Sequence, residues 1–245
     1  MSPMRIDEIL SVAARVRDDL GRLRAKSRMV VMFVDLVGST EYKAVHPAEE
    51  QWLPRLAQFL IGVTRIVEMH GRVVKYIGDE VMAAFEGDGA PLNAEHAAES
   101  ILAFCEQLEG ENLQVKIALD YGDVSLLNFA SEDRAEGTDG RPALHSLDPQ
   151  GLVVDRCARL MSKASAGAVL CSAAFQGASR TPQRWGPIGE FRPKGFTDPI
   201  SVFLLQTKGA PTLNVEDEKM TLAECKKEVE KLQVQLAEAK RLIKR

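Results

Sequence analysis

Ile6, Ile9, Leu10, Ala13, Val16, Leu20 and Leu23 recur at three- and four-residue steps with Arg and Asp between them. That spacing predicts an amphipathic helix over residues 1–27. The next stretch, MVVMFVDL (Met29–Leu36), is almost wholly apolar and predicts a strand buried on both faces. Helical spacing returns from about Pro47 to His70, through Leu53, Leu56, Phe59, Leu60, Val63 and Val67, with Gly71 expected as a left-handed cap. RVVKYIGDEVMAAF predicts two strands about a turn at Gly78–Asp79, and a helix follows from about Asn93 to Leu108. LQVKIALDYGDVSLLNF is expected to return as a hairpin and the polar stretch Ser131–Arg141 as a loop. Gly151–Ser165 is expected to be a helix, with AVLCS and ISVFLLQ as further strands. The order βαββαββαβ predicts an α/β (α+β) sandwich, a mostly antiparallel sheet with helices on its faces.

Past a linker over 209–220, Leu222, Cys225, Val229, Leu232, Leu236, Ala239 and Ile243 alternate three- and four-residue steps. This a/d seam predicts a coiled-coil helix over 221–245. The expected organisation is therefore a helix (1–27), one globular domain (28–208), a linker and a coiled tail.

Composition narrows the function. With 45% hydrophobic and 27% charged residues the chain reads as globular, and a net charge of −4 gives no footprint for nucleic acid. Four cysteines lie far apart without a CxxC pair, which argues against a zinc site or disulfide framework. No apolar run approaches the ~20 residues of a membrane span, and the N-terminus lacks a signal-peptide core. A cytoplasmic protein that binds neither membrane nor nucleic acid is expected.

Two apolar strands each end in an aspartate close to a glycine: Asp35, three residues before Gly38 in FVDLVGST, and Asp79, next to Gly78 in YIGDE. Alone, the first would be a strand-end residue and the second a type I′ turn residue. Together, carboxylates at neighbouring turns repel unless a cation sits between them, and hard oxygen ligands suit Mg²⁺ or Mn²⁺. The LVGST segment between strand and helix lets backbone N–H groups approach phosphate oxygens, and the helix terminus adds partial positive charge. Metal-assisted phosphoryl transfer is the chemistry this combination suggests.

FVDLVGST, VVKYIGDEVMAAF, VKIALDYGDV, DPQGLVVDRCARLMSKASAGAVLCS and RPKGFTDPISVFLL follow one another as in the class III nucleotidyl cyclases, a resemblance over about Arg28 to Thr207. It implies two copies paired head to tail as a homodimer, with two active sites each built from both chains. It implies two Mg²⁺ or Mn²⁺ ions per site on Asp35, Asp79 and the Leu36 carbonyl. Val37, Gly38, Ser39 and Thr40 would contact phosphate, and Lys194 would hold the terminal phosphates. Lys75 and Asp148 would read the base, and Arg159 would stabilise charge developing on the transferred phosphoryl group. Asp155 stands where many members carry an asparagine, and Asp120 and Tyr121 where His and Thr are frequent.

The implied activity is conversion of a nucleoside triphosphate to a 3′,5′-cyclic nucleotide and pyrophosphate. A donor and acceptor pair such as Lys75 and Asp148 matches adenine, cytosine and uracil alike, so the base depends on the pocket walls, where Tyr76 or Tyr121 could shorten the space. The cyclase unit and its DPxGxxVDRxAR-type segment are similar to the pyrimidine cyclases of bacterial antiphage (Pycsar) signalling, whose product acts on a separate receptor. A UTP or CTP cyclase is the expectation, an adenylate cyclase the alternative, and a non-catalytic nucleotide-binding regulator the minor alternative.

Overall fold

In a computed structural model of the chain, the described residues are 6, 24–108, 113–128 and 147–215. The expected N-terminal helix up to residue 23 (Ile6 apart), the polar loop 131–141 and the heptad tail 221–245 lie outside them.

Strand β1 spans Arg24–Leu36, so residues 24–27, expected to close the N-terminal helix, are strand instead. The reason is pairing: Arg24 to Arg28 lie opposite Leu127 to Asp123, and the ladder satisfies their backbone. The apolar run of β1 divides between two cores, with Val30, Met32, Val34 and Leu36 on one face and Met29, Val31 and Phe33 on the other. None of the seven is more than 4% exposed, as a strand between two helical layers requires.

After β1 comes a short helix the periodicity does not show, α1 (Ser39–Val45), and then α2 (Glu49–Glu68), which buries Phe59, Val63 and Val67. Gly71 is not left-handed. A Cβ there would stand 2.6 Å from Phe85 Cδ1 and 2.7 Å from the Ala84 carbonyl oxygen, so close packing, not a cap, demands glycine. The expected hairpin forms from β2 (Arg72–Ile77) and β3 (Glu80–Glu86). Only Gly78 of its turn has a positive φ, +68°, so the turn is not type I′.

Helix α3 (Ala90–Gln107) leads to β4 (Val115–Asn128), one unbroken strand where a hairpin was expected. Its pairing with β1 runs the whole way, from Leu36 opposite Val115 to Arg24 opposite Leu127. Gly122 marks a close approach, not a turn: a Cβ there would come within 3.0 Å of Val153 Cγ2. The chain continues through β5 (Leu147–Gln150), α4 (Leu152–Met161), β6 (Val169–Ser172), α5 (Ala173–Ala178), a 3₁₀ turn at Pro182–Arg184, β7 (Trp185–Phe191) and β8 (Ile200–Leu205).

The sheet order is β2-β3-β1-β4-β6-β8-β7, with β5 beside the far end of β4. Among the described strand pairings only β4–β6 is parallel, so the expected mostly antiparallel sheet is present. Helices α2 and α3 cover one face and α4 lies on the other. Of the stretch read as a linker, residues 209–215 lie against the domain: Ala210, Leu213 and Val215 join the second core, and Val215 N donates to Ile188 O at 2.9 Å.

Candidate active site

Three turns meet at one end of the sheet: the loop after β1, the Gly78–Asp79 turn after β2, and residues 164–166 after α4. They line a cavity of about 330 Å³ that takes in Asp35, Leu36, Val37, Gly38, Ser39, Thr40, Asp79 and Lys116. The strands force this meeting. Asp35 stands opposite Glu80 on β3 and opposite Lys116 on β4, which sets Asp79 beside the same strand end.

The cavity carries more carboxylate than ammonium. Lys116 Nζ lies 2.9 Å from Asp35 Oδ2. Glu80, adjoining the cavity, has its carboxyl pushed up to about 7, first by burial and then by the charge of Asp35, with Asp79 adding and Lys116 opposing. A surplus of negative charge on hard oxygen donors fits Mg²⁺ or Mn²⁺. Ser39 also lines the cavity, and its buried hydroxyl has no hydrogen-bond partner among the described residues. Among the described residues no group of three or more His, Cys, Asp or Glu side chains could hold a metal ion. The protein would thus supply part of a coordination shell, leaving positions for water and phosphate, the usual Mg²⁺ arrangement.

The loop between β1 and α1 is built as a tight bend. Gly38 adopts φ 72° and ψ 14° ahead of α1, and no side chain caps the helix. The N–H groups of the first turn therefore have no intrahelical acceptor. With only seven residues, α1 adds little beyond those local N–H groups.

The remaining site residues do not line this cavity. Lys75 and Asp148 meet each other: Lys75 Nζ donates to Asp148 Oδ2 at 2.8 Å and to Oδ1 at 3.1 Å. A bulge in β2 between Val73 and Lys75 re-aims the lysine, which is paired with Met82 of the second core. Tyr76 faces the other way, its hydroxyl 2.7 Å from Thr64 on α2, and Tyr121 packs against the first core. Neither tyrosine shortens the space beside Lys75. Asp155 and Arg159, one turn apart on α4, are exposed on the side opposite the buried Val153, Cys157 and Leu160. Lys194 is exposed in the turn between β7 and β8.

Sequence reading missed Lys116, Glu80 and the 164–166 wall. Lys116 and Glu80 acquire their place only from strand register, although both flank apolar runs of the expected strands.

No family model matches the chain. The uncharacterized proteins Rv1320c of Mycobacterium tuberculosis and Mb1354c of Mycobacterium bovis are 31% identical to it over 137 residues, 54% of this chain. The chain spans 23% of the length of these relatives. Among solved structures, the adenylyl cyclase CyaB from P. aeruginosa superposes with TM-score 0.61 at 21% identity, covering 78% of this chain and 99% of that one. The guanylyl cyclase Cya2 gives 0.62 at 20% identity, over 78% and 98%. A bacterial light-regulated adenylyl cyclase gives 0.60 at 17%, over 86% and 68%. The chain has the fold of these catalytic domains.

Proposed function

We propose that two copies of this chain pair into a nucleotidyl cyclase that closes a nucleoside triphosphate to its 3′,5′-cyclic nucleotide and pyrophosphate. The observation that carries this reading is the separation of the site: on one chain the carboxylate cavity is built without the Lys75–Asp148 pair, Arg159 or Lys194. A second copy in head-to-tail orientation would supply the missing half to each cavity, giving two equivalent sites.

In that arrangement Asp35, Asp79 and the Leu36 carbonyl hold the ions. Bound Mg²⁺ or Mn²⁺ neutralises phosphate charge and lowers the pKa of the ribose hydroxyl. Lys116, within reach of Asp35, and the backbone of Val37 to Thr40 engage phosphate oxygens. From the second copy, Lys75 and Asp148 hold the base edge, each already oriented by the other. Arg159 offers a fixed guanidinium to the charge that grows as the 3′-oxygen attacks the α-phosphorus and the bond to pyrophosphate breaks. Lys194 holds the leaving phosphates. Asp155, which as a carboxylate cannot donate a hydrogen bond, orients Arg159 or acts through a water.

The base we assign is a pyrimidine, on the likeness of the DPQGLVVDRCAR segment to pyrimidine cyclases, with the product acting on a separate receptor in antiviral defence. ATP is the second reading, because Lys75 and Asp148 match adenine equally and no tyrosine narrows their surroundings. Incubation of the protein with Mn²⁺ and each of ATP, GTP, UTP and CTP, with products identified by mass spectrometry, separates them. Cyclic UMP or CMP is expected; cyclic AMP would replace the pyrimidine assignment, and no cyclic product would overturn the enzyme. Asp35→Ala is expected to abolish turnover while leaving the dimer intact.

A further inference from the structure

Beneath α4 lies a buried charge that the proposed chemistry does not use. Asp120, on β4, is fully buried, yet it points at the helix that carries Asp155 and Arg159. Arg156 of that helix grips it with two bonds, Nε to Oδ2 at 2.5 Å and Nη2 to Oδ1 at 3.1 Å. The Tyr121 N–H donates to Oδ1 at 2.8 Å, and the Ser172 hydroxyl, at the end of β6, donates to the same oxygen. Ser172 Oγ in turn accepts from Phe175 N at 3.2 Å, so the cluster ties β4, β6, α4 and the start of α5 to one carboxylate.

Burial of Asp120 is costly, and it raises the carboxyl's pKa against the opposing pull of Arg156, Ser172 and the Tyr121 N–H. Buried ion pairs are rarely the cheapest way to stabilise a fold, because apolar residues of similar volume do as well. What they add is geometry: a rigid, planar guanidinium fork matches a carboxylate bidentately and so restricts their relative orientation. The rest of α4 rests on the sheet through the apolar Val153, Leu160 and Met161, which tolerate sliding and rotation, and through Cys157, whose thiol donates weakly to the Val31 and Ala118 carbonyls at 3.3 and 3.4 Å. The fork is the charged, two-pronged directional contact, and it belongs to the residue immediately after Asp155 and three before Arg159.

We propose that Asp120 and Arg156 form a positioning lock that sets the rotation of α4 on the sheet, and so aims Arg159 and Asp155 at the site shared with the second copy. Its catalytic consequence rests on the proposed cyclase reading; its structural consequence does not. Asp120 and Arg156 touch no substrate in this scheme and act through Arg159.

The test compares the wild type with Arg156→Lys, which keeps the charge but loses the fork, and with the double variant Asp120→Leu/Arg156→Met, which removes both charges. Hydrogen exchange of residues 152–161 is read against that of β1, alongside melting temperature, kcat and KM. Both variants are expected to keep β1 protection, to exchange about tenfold faster in α4, and to lose about tenfold in kcat with KM little changed, the size a lost charge-assisted bond gives. Wild-type exchange in α4 together with wild-type kcat in a folded variant would overturn the lock. Should the double variant not fold, Arg156→Lys decides by the same two readouts. If the wild type turns over no nucleotide, the cyclase reading fails, and exchange in α4 alone decides the lock.

Discussion

At the scale of single residues, the cavity is a problem in uncompensated charge. Asp35, Asp79 and Glu80 share one strand end with Lys116, and Glu80 is the group that yields, its carboxyl held near 7 against an ordinary 4.5. A raised carboxyl means that the folded chain holds a proton the unfolded chain has released between these values. Its stabilising contribution is therefore complete below about pH 4.5 and is lost as pH rises through about 7. In EDTA, the urea midpoint of the wild type is expected to fall relative to that of Glu80→Gln over this interval, and added Mn²⁺ to close the gap. Parallel slopes in the two proteins would contradict the placement of Glu80. Asp35 and Asp79 were legible in sequence because each ends an apolar strand and lies within three residues of a glycine. Lys116 and Glu80 were not, since nothing local distinguishes a strand-end lysine facing a carboxylate from one facing water until register is known. Asp120 was noticed as an unusual residue, but its partner Arg156, thirty-six positions away, reads as an ordinary surface arginine.

At the scale of elements, periodicity located most of the strands and helices, while Gly71 was assigned to the wrong cause. Gly71 was read as a left-handed cap and the stretch holding Gly122 as a hairpin, yet Gly71 is required by Phe85 and the Ala84 carbonyl beside it, and Gly122 by Val153 above it together with its own φ of +158°. Local sequence reports that a side chain is missing, not whether torsion or packing demands it. Gly71→Ala is therefore expected to cost about 1–3 kcal/mol by overpacking, read as a lowered denaturant midpoint with an unchanged m-value. A neutral result would mean that the chain reversal after α2 is more pliant than its contacts imply. Strand β7 escaped detection because WGPIGEF interrupts its apolar positions with two glycines and a proline. Strand β5 is four residues long and is a strand only because β4 extends far enough to pair with it.

At the scale of the molecule, the sheet carries the proposed catalytic residues in two places. One end holds the carboxylate cavity, and the Lys75–Asp148 pair and the exposed face of α4 stand apart from it. In the proposed function neither group alone would hold, orient and cleave a nucleoside triphosphate, whereas two chains related by a twofold axis would bring each kind together twice. The direct test is complementation. Asp35→Ala and Arg159→Ala, each inactive alone, are mixed after unfolding and refolding together. Random pairing makes half the dimers mixed, each with one intact site of two, so about a quarter of the wild-type cyclic nucleotide yield is expected at equal protein. If the variants pair but the mixture stays as inactive as its parts, the two residues serve one chain's site, and the shared architecture is wrong.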